Sequence, residues 1–413
     1  MNRRHFFRIS MAAAPALLSS KVTGAIDLTP RDAFKFEPIL PGLAVARWVP
    51  EPVLITQADL LCDGKRYYMR LADRQGRSQT VICNPKIRHS ADIFNELLAP
   101  MCVGADIRDI ENLVDQWYRA DRNYKLAGGL SFWQCIGNIE LAALGLLAKI
   151  AGIPVWRFFV EKKIRDEFGV YYSSFDRKNS AEHYVADVQK VVETHGFRCV
   201  KLKIGGRMSR NADCLPGRTE ALIPLARKTF GDDFTLYVDC NGSYDDPREA
   251  LRILRICEDY GVAIAEEPAP FLDFEATRQV AQGCSIPIAG GEQDNSLHLF
   301  KYYAESGVLR VLQPDFEYVG GFLRLLQVAR IAAHYGLELG PHHPKRGSAR
   351  AYLNHLAAIV PNLCAFQESR LFENWEGDPP DFLRQRQSRM RVPDAPGWGW
   401  EEDPKLLIGA VKI

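Results

Sequence analysis

Seven ionisable residues recur along the middle of the chain at nearly constant intervals, each at or just after a short apolar run. They are Lys203, Asp239, Glu266, Glu292, Asp315, His342 and Glu368. Successive members are roughly 23 to 36 residues apart, close to the ~30 residues that one strand and one helix take in a (β/α)₈ barrel of about 250 residues. This period predicts polar groups at the same end of successive parallel strands. In such a barrel, that end carries the active site.

Three of these residues supply carboxylates after consecutive predicted strands. They occur in the motifs Asp239-Cys240-Asn241, Glu266-Glu267-Pro268 and Gly291-Glu292. Three oxygen ligands without histidine or thiolate suit a hard cation, and Mg²⁺ leaves its remaining positions to water or substrate. Each carboxylate alone could equally be structural, and Asp239 and Asn241 could cap a helix. Because the three occur in register, the pattern predicts a Mg²⁺ site.

Two lysines, Lys201 and Lys203, lie two positions apart in the second predicted strand. Side chains alternate along a strand, so both ammonium groups should point into the barrel. Burial or a nearby cation lowers the pKa of a lysine, which then becomes useful as a general base. The alternative is that one lysine forms a salt bridge and the other reaches the rim. The presence of both on one face favours a catalytic function.

A histidine and an aspartate follow neighbouring predicted strands, in Pro314-Asp315 and Pro341-His342-His343. Neighbouring strands lie less than about 5 Å apart, so the Asp315 carboxylate can orient the His342 imidazole and raise its basicity. A single histidine is more often structural than catalytic, but this one has a carboxylate partner and shares the strand-end position of the acidic residues. We therefore predict that His342 is catalytic. His343 should point elsewhere, with substrate contact as its only expected function.

Eight short apolar runs provide the strands that must position these residues, as expected of a buried parallel sheet. They cover residues 169–173, 199–204, 236–239, 262–266, 286–290, 308–313, 337–340 and 363–367. Amphipathic stretches between them, such as 249–259, 274–282 and 323–335, predict helices. A doubly wound sheet would show the same alternation. However, no G-x-G-x-x-G motif opens a helix, and polar strand ends in so many units favour a closed α/β barrel of the TIM type.

The residues on either side of the barrel predict a second, smaller domain. Before it, extended stretches at 53–61, 66–71 and 80–83 are followed by helical patterns at 110–122 and 136–150, which is an α+β arrangement. After residue 370 the chain is rich in proline, tryptophan and charge, and Lys405-Leu406-Leu407-Ile408 predicts a return strand. We expect an α+β capping domain at 26–155, a (β/α)₈ barrel at 156–370, and a C-terminal segment at 371–413 that completes the cap.

The composition excludes several classes of function. The chain has 413 residues, 47% of them hydrophobic and 25% charged, with a net charge of +1. No basic block indicates nucleic acid or an anionic membrane as a partner, and small polar or anionic metabolites stay possible as substrates. A homo-oligomer is the expected assembly. The ten cysteines form no C-x-x-C pair, which predicts buried free thiols rather than disulfides or a zinc ribbon.

The first 25 residues resemble a twin-arginine export signal. Arg3-Arg4 precedes an alanine-rich, weakly apolar stretch at 9–18, and the small residues Thr23-Gly24-Ala25 provide a cleavage site. The apolar stretch is too short to span a membrane. We expect export to the periplasm, and a basic extension on a cytoplasmic enzyme is the alternative.

Together the motifs resemble the mandelate racemase/muconate lactonizing enzyme family of the enolase superfamily, over almost the whole chain after Ile26. The matching motifs are K-x-K at Lys201 and Lys203, D-x-N at Asp239 and Asn241, E-E-P at Glu266, G-E at Glu292, P-D at Asp315, P-H at His342, and Glu368 on the eighth strand. A histidine after the seventh strand, with no lysine ending the sixth, resembles the mandelate racemase subgroup. The resemblance also selects Glu266 rather than Glu267 as a metal ligand.

The resemblance implies Mg²⁺-assisted removal of the proton α to a carboxylate, with Asp239, Glu266 and Glu292 as metal ligands. Lys203 and the His342–Asp315 pair would lie on opposite faces of the substrate. The groups implied to contact the substrate are Lys201, Asn241 and Glu368. Lys201 would neutralise the substrate carboxylate, and a protonated Glu368 would donate a hydrogen bond to it.

Dehydration of a sugar acid to a 2-keto-3-deoxy acid is the expected reaction, because the family commonly uses this residue set for it. Racemisation, epimerisation and cycloisomerisation start with the same proton removal and stay open. A non-catalytic sugar-acid binding protein is the remote alternative, disfavoured because both bases are present.

Substrate specificity is expected to depend on segments outside these motifs. The basic stretch 344–347 and the insertion 207–213 could meet a second substrate carboxylate, as in an aldaric acid, or form a solvated rim. Cap loops near Arg47-Trp48 and at 84–89 are expected at the barrel mouth.

Overall fold

The fold begins with three antiparallel strands. This computed structural model describes residues 34–120 and 124–413, and the predicted signal at 1–25 lies outside the described residues. The strands are β1 (Ile55–Cys62), β2 (Tyr67–Asp73) and β3 (Ser78–Cys83). Aspartates fix both connecting turns, because Asp63 Oδ1 accepts from the backbone N–H groups of Lys65 and Arg66, and Asp73 Oδ1 accepts from those of Gln75 and Arg77. The sheet confirms the extended part of the predicted cap.

Four α-helices follow the cap strands in the part of the chain that the structure describes. They are α1 (Ala99–Cys102), α2 (Ile110–Arg119), α3 (Tyr124–Ala127) and α4 (Leu130–Ala151). Helix α4 ends at Gly152, whose φ of 67° is the left-handed conformation that glycine adopts without strain. Among the described residues α4 alone is long and apolar enough to cross a membrane, but 89% of its apolar window is buried inside the protein. It has the character of a core helix.

Eight parallel strands form the barrel. They are β4 (Glu167–Ser173), β5 (Cys199–Lys203), β6 (Thr235–Asp239), β7 (Ile264–Glu266), β8 (Ile288–Gly290), β9 (Val311–Leu312), β10 (Glu338–Leu339) and β11 (Phe366–Ser369). The strands pair in the order β10-β9-β8-β7-β6-β5-β4-β11, and a parallel bridge between Leu339 and Leu363 closes the circle. All eight strands predicted from apolar runs are present, which confirms the barrel.

Seven helices cover the outside of the barrel. They are α5 (Ala181–His195), α6 (Arg218–Phe230), α7 (Pro247–Asp259), α8 (Phe274–Gly283), α9 (Leu297–Ser306), α10 (Phe322–His334) and α11 (Ala351–Ala357). Four of them begin at a side chain that accepts a hydrogen bond from a first-turn N–H group, which satisfies donors left open at a helix start. These residues are Ser180, Asp246, Asp273 and Ser296.

The barrel interior is filled with side chains below the mouth. They are Tyr171, Cys199, Tyr237, Ile264, Ala289, Val311 and Cys364. All ten cysteines are free and eight of them are buried, as the sequence predicts. These side chains close the barrel interior below the polar strand ends, so the cavity at those ends is open only at the mouth.

The C-terminal segment contacts both domains. Strand β12 (Arg389–Arg391) pairs antiparallel with β4 of the barrel, and β13 (Val411–Lys412) pairs antiparallel with β1 of the cap. The return strand predicted at 405–408 is wrong: Pro404–Leu407 is a 3-10 turn, and the strand comes after it. Proline at the first position and the Asp403 carboxylate, which accepts from the Lys405 N–H, favour the turn.

Candidate active site

The strand ends bring the predicted site residues to one face of the barrel. Backbone register places Lys203 beside Asp239, Asp239 beside Glu266, and Asp315 beside His342. Glu292 follows β8 directly, and Glu368 lies within β11. All of these positions are at the carboxyl ends of the strands. We call Lys201, Lys203, Asp239 and Glu266 the lysine side of the mouth, and Asp315, His342, Lys345 and Glu317 the histidine side.

On the lysine side, the two ammonium groups pair with carboxylates of the next two strands. Lys201 Nζ lies 2.6 Å from Glu266 Oε2 and 3.4 Å from Glu368 Oε1. Lys203 Nζ pairs with the Asp239 carboxylate and lies 3.3 Å from Asn241 Oδ1. Burial alone would lower the pKa of Lys201, but attraction to Glu266 and Glu368 outweighs it and raises that pKa well above its usual value. The expected lowering is therefore wrong for Lys201.

A compact group of three carboxylates lies beside the lysines. Oxygens of Asp239, Glu266 and Glu267 all lie within 4.8 Å of one another, and all three residues are buried. Burial and the Asp239 charge raise the pKa of Glu266 to about 7, and burial with the charge of Glu292 raises that of Glu267 well above its usual value. Although burial opposes it, Lys203 lowers the pKa of Asp239 to about 2. Burial and mutual repulsion thus oppose full ionisation of the three carboxyl groups, and a bound cation would relieve that repulsion.

Glu267 was set aside by the sequence reasoning, yet it joins this group. Strand alternation would turn Glu266 and Glu267 to opposite faces. Glu267, however, has a φ of 46°, in the left-handed region, so the backbone leaves β7 and turns its carboxylate back toward the other two. Asn241 and Gln293 both donate to it, at 3.4 and 3.2 Å. No feature of the sequence marks this conformation.

Glu292 lies on the other side of the group. Its Oε2 is 3.4 Å from Nε2 of His342, and its side chain is about one fifth exposed, at 22%. The structure thus places a carboxylate between the compact group and the imidazole. Its assignment as a metal ligand stays a prediction.

The histidine side contains the predicted pair and two further charged residues. His342 Nδ1 lies 2.8 Å from Asp315 Oδ2. Lys345 Nζ lies 2.9 Å from each Asp315 oxygen and 2.8 Å from Glu317 Oε1. Burial opposes the charged form of His342, but Glu292 and Asp315 raise its pKa to about 9. The sequence reasoning expected the basic stretch that includes Lys345 to meet a second substrate carboxylate or to form a solvated rim. The structure instead buries Lys345 as a partner of Asp315 and Glu317, and the acidic residue two positions after Asp315 was the available signal.

Glu368 is held as a carboxylate. It accepts from Ser173 Oγ at 2.7 Å and from the backbone N–H of His343 at 2.7 Å. Burial would raise the pKa of Glu368, but Lys201 and His342 hold it well below its usual value. The prediction of a protonated Glu368 is therefore wrong for the substrate-free site, because nearby cations and donors stabilise the anion.

The ring of His343 lies away from this group. Its Nε2 lies 3.0 Å from the Arg350 carbonyl oxygen, and its ring packs edge-on against Phe316. Burial lowers the pKa of His343 to about 3, so the ring is neutral. Its backbone N–H, rather than its ring, reaches the site residues, so this geometry does not support substrate contact through the side chain.

The cap contributes to the histidine side through Glu317. Glu317 Oε2 accepts from the backbone N–H of Asn84, at 2.8 Å, and from Asn138 Nδ2 on α4, at 3.1 Å. The cap loop predicted at 84–89 is thus at the mouth. Arg47 instead lines a cavity with Pro361 and Asn362, which precede β11, so the expected position of Arg47-Trp48 at the mouth is wrong.

Comparisons with known proteins agree with this geometry. Residues 183–406 match a family model described as "Enolase C-terminal domain-like". A D-galactonate dehydratase from Ralstonia nicotianae is 28% identical, with 75% of this chain and 81% of that protein covered, and a D-gluconate dehydratase from Thermoproteus tenax is 26% identical, with 74% and 61% covered.

The fold also resembles solved structures. A mandelate racemase/muconate lactonizing protein from Paracoccus denitrificans, solved in complex with magnesium, superposes with a TM-score of 0.79 at 24% identity, covering 87% of this chain and 99% of that one. At that identity the likeness shows the fold. The matched family model spans more than half of the chain, and its residues include every predicted site residue. The chain therefore belongs to the mandelate racemase/muconate lactonizing enzyme family of the enolase superfamily, as an enzyme of the dehydratase or isomerase type.

Proposed function

We propose that this enzyme is a Mg²⁺-dependent dehydratase that converts a sugar acid into a 2-keto-3-deoxy acid. The observation that carries the proposal is the arrangement at the barrel mouth: a buried carboxylate group lies between a lysine pair and an aspartate-oriented histidine. The names of the D-galactonate and D-gluconate dehydratases among its relatives support the same reaction class.

The proposed metal ligands are Asp239, Glu266 and Glu292, and Glu267 is a neighbouring oxygen donor. The residues fit a hard divalent cation, because oxygen donors converge, and because burial together with the neighbouring carboxylates raises the pKa values of Glu266 and Glu267. When bound, Mg²⁺ would supply positive charge beside the substrate carboxylate and stabilise the negative charge that develops as the α-proton leaves.

The proposed reaction divides between the two sides of the mouth. Lys203 removes the proton at C2, and Lys201 neutralises the substrate carboxylate. His342 gives a proton to the hydroxyl that leaves C3, because Asp315 binds Nδ1 and leaves Nε2 facing the site. The resulting enol takes up a proton to become the 2-keto-3-deoxy acid.

Racemisation or epimerisation is the second candidate. The observation in its favour is that Lys203 and His342 lie on different sides of the mouth, so that one could remove a proton and the other return it. Cycloisomerisation begins with the same proton removal.

A screen of mono- and dicarboxylic sugar acids with Mg²⁺ in D₂O distinguishes these reactions. Formation of a 2-keto-3-deoxy acid that depends on Lys203 and His342 supports dehydration. Exchange with inversion and without keto acid shows a racemase or epimerase, and a cyclic or ring-opened product shows a cycloisomerase. Absence of α-proton exchange with every acid would overturn the proposal at its first step.

We also propose that the protein is exported by its twin-arginine-like N-terminus and works as a homo-oligomer. Replacing Arg3 and Arg4 with lysine should retain the chain in the cytoplasm at its full length, because twin-arginine recognition requires that pair. Wild-type chain found uncleaved in the cytoplasm would contradict export. Light scattering of the purified protein tests the assembly.

A further inference from the structure

Two guanidinium groups at the barrel mouth share a single carboxylate. Arg346 Nη2 lies 2.8 Å from Glu373 Oε1, and Arg370 Nη2 lies 3.7 Å from the same oxygen. The other oxygen, Oε2, accepts from the Trp375 indole N–H at 2.7 Å. We call Arg346 and Arg370 the guanidinium pair. Together with Glu373 it leaves one positive charge uncompensated.

Two further carboxylates lie near the pair, and each already has another cationic partner. Glu376 pairs with Arg350, and Glu368, whose charge also acts on Arg370, lies 3.4 Å from Lys201 Nζ. The nearby Arg350 has its own partner, because its Nε and Nη2 groups donate to the two oxygens of Glu376 at 2.8 and 3.0 Å. The same Arg350 donates through Nη1 to the backbone oxygen of Arg370 at 2.9 Å and so fixes the start of the Arg370 side chain. Burial and the Arg346 charge lower the pKa of Arg370, in keeping with a cation that lacks a full partner.

The guanidinium pair lies on the rim of the candidate active site. Arg370 directly follows β11, two positions after Glu368. The Arg370 guanidinium lies 4.7 Å from the ring centre of Phe175, and Lys203 Nζ lies 5.5 Å from the same centre. Phe175 is 49% exposed, so this wall faces the open mouth. Arg370 is therefore no farther from Lys203 than the sum of these two distances.

A sugar acid bound at the site has a second end that must lie along such a wall. Its C1 carboxylate would meet Lys201, and each further carbon adds a bond of about 1.5 Å toward the rim. Guanidinium groups bind carboxylates through two parallel hydrogen bonds, more strongly and with better geometric selection than they bind a hydroxyl group. The uncompensated positive charge of the guanidinium pair therefore favours an acid that carries a carboxylate at each end.

We propose that Arg346 and Arg370 form a subsite for a second substrate carboxylate, so that the enzyme prefers dicarboxylic sugar acids to monocarboxylic ones. This inference rests on the proposed function, since it takes the C1 end of the substrate to lie at Lys201. The second carboxylate would bind the guanidinium N–H groups that Glu373 leaves open. Phe175 would separate this end of the substrate from the reacting carbons.

The test uses pairs of six-carbon acids of the same configuration that differ only at C6, where one has a hydroxymethyl group and the other a carboxylate. For the wild type, kcat/KM should be higher for the diacid. In Arg370→Gln and Arg346→Gln, the ratio of diacid to monoacid kcat/KM should fall by about 10- to 100-fold, the value of a charged hydrogen bond. Arg370→Lys keeps the positive charge but loses the paired N–H donors of the guanidinium group. Its ratio of diacid to monoacid kcat/KM should lie between those of the wild type and Arg370→Gln.

Arg386→Gln is the matched control, because Arg386 is an exposed arginine of the same C-terminal segment that pairs with Asp381 at 2.6 Å. It should leave the ratio unchanged. A wild-type preference for the monoacid, or an unchanged ratio in both Arg370→Gln and Arg346→Gln, would overturn the subsite and leave the dehydratase proposal intact.

If no acid is turned over, the proposed function fails, and calorimetry with Mg²⁺ still decides the subsite. Tighter binding of the diacid than of the monoacid, lost in Arg370→Gln, would support it. Equal binding of the two acids would overturn it.

Discussion

The lysine side of the mouth is built from consecutive strands of the barrel, whereas the histidine side depends on residues from the cap. Lys201 and Lys203 find their carboxylate partners on β6 and β7, the next two strands along the chain. Asp315, in contrast, shares Lys345 with Glu317, and Glu317 is bound by Asn84 and by Asn138 on α4. The first set of contacts follows from strand register alone, but the second forms only when both domains are in place.

This difference means that the two candidate bases, Lys203 and His342, should respond to different changes: Lys203 to metal binding, and His342 to changes in the cap. A bound Mg²⁺ ion would compete with the lysines for the proposed ligands Asp239 and Glu266, and its binding would therefore perturb the lysine side directly. The histidine side is coupled to the cap through a buried hydrogen-bond network, in which removal of one member leaves others unsatisfied. The following variants test this contrast, in order of their expected effect on turnover.

Asp239→Asn should have the largest effect. It removes the partner of Lys203 and a proposed metal ligand together, so kcat/KM should fall on the order of 1,000-fold, and Mg²⁺ affinity measured by calorimetry should fall with it. Asp245→Asn, at an exposed position six residues on, is the control and should leave both quantities unchanged. Full turnover by Asp239→Asn, or by wild type after exhaustive chelation, would remove the metal assignment.

Asp315→Asn should lower kcat/KM by about 100-fold or more, because an uncharged amide no longer orients His342 as a proton donor. Mg²⁺ affinity should be retained, which separates this side from the lysine side. Lys345 keeps Glu317 as a partner, so the variant should fold, as checked by circular dichroism. Asp259→Asn, at the exposed end of α7, serves as control. Loss of metal binding in Asp315→Asn would mean that the two sides are not independent.

Asn138→Ala tests the contribution of the cap. It removes the hydrogen bond from α4 to Glu317 and should destabilise the protein by about 1–3 kcal/mol. Since the network also holds Asp315, kcat/KM should fall by roughly tenfold while Mg²⁺ affinity stays the same. The exposed Asn112→Ala on α2 is the matched control. If Asn138→Ala lowered stability without changing turnover, the cap would support the fold but not the histidine side.

Glu140→Gln tests the pH dependence of stability at the contact between cap and barrel. Glu140 lies away from the mouth, so this variant should leave turnover unchanged. Glu140 on α4 accepts from the backbone N–H groups of Phe322 and Leu323 at the start of α10, and burial raises its pKa to about 8. The protonated form is thus favoured by folding. Its stabilising effect is fully present below the ordinary glutamate value of 4.5 and is lost as the pH rises through about 8.

The measurement is urea unfolding at pH 5 and pH 9. The wild type should lose more stability between these values than Glu140→Gln, which cannot ionise, and the exposed Glu96→Gln should behave like the wild type. An identical pH dependence in Glu140→Gln and wild type would show that this carboxyl group is not the one that titrates on unfolding.

The sequence by itself determined the eight strands, the polar residues at their ends, and the pairing of Asp315 with His342. Apolar runs mark buried parallel strands because both faces of such a sheet are covered, and residues at equivalent strand ends must then share one face. The positions of Lys201, Lys203, Asp239, Glu266 and Glu368 followed from this local rule. The return strand near residue 405 was misplaced, because a proline and a capping aspartate gave a turn instead.

Apart from the Asp315–His342 pair, only the tertiary structure decided which charged groups meet. The carboxylate of Glu267 joins Asp239 and Glu266 through a left-handed backbone conformation that no pattern of residue types announces. Lys345 is buried against Asp315, and Glu368 is held as an anion by Lys201, which lies 167 positions earlier in the chain. The protonation state of each group depends on its burial and on the charged groups near it. Those groups come together only when the barrel closes and the cap packs against it, so the distances between them are properties of the folded chain rather than of its local sequence.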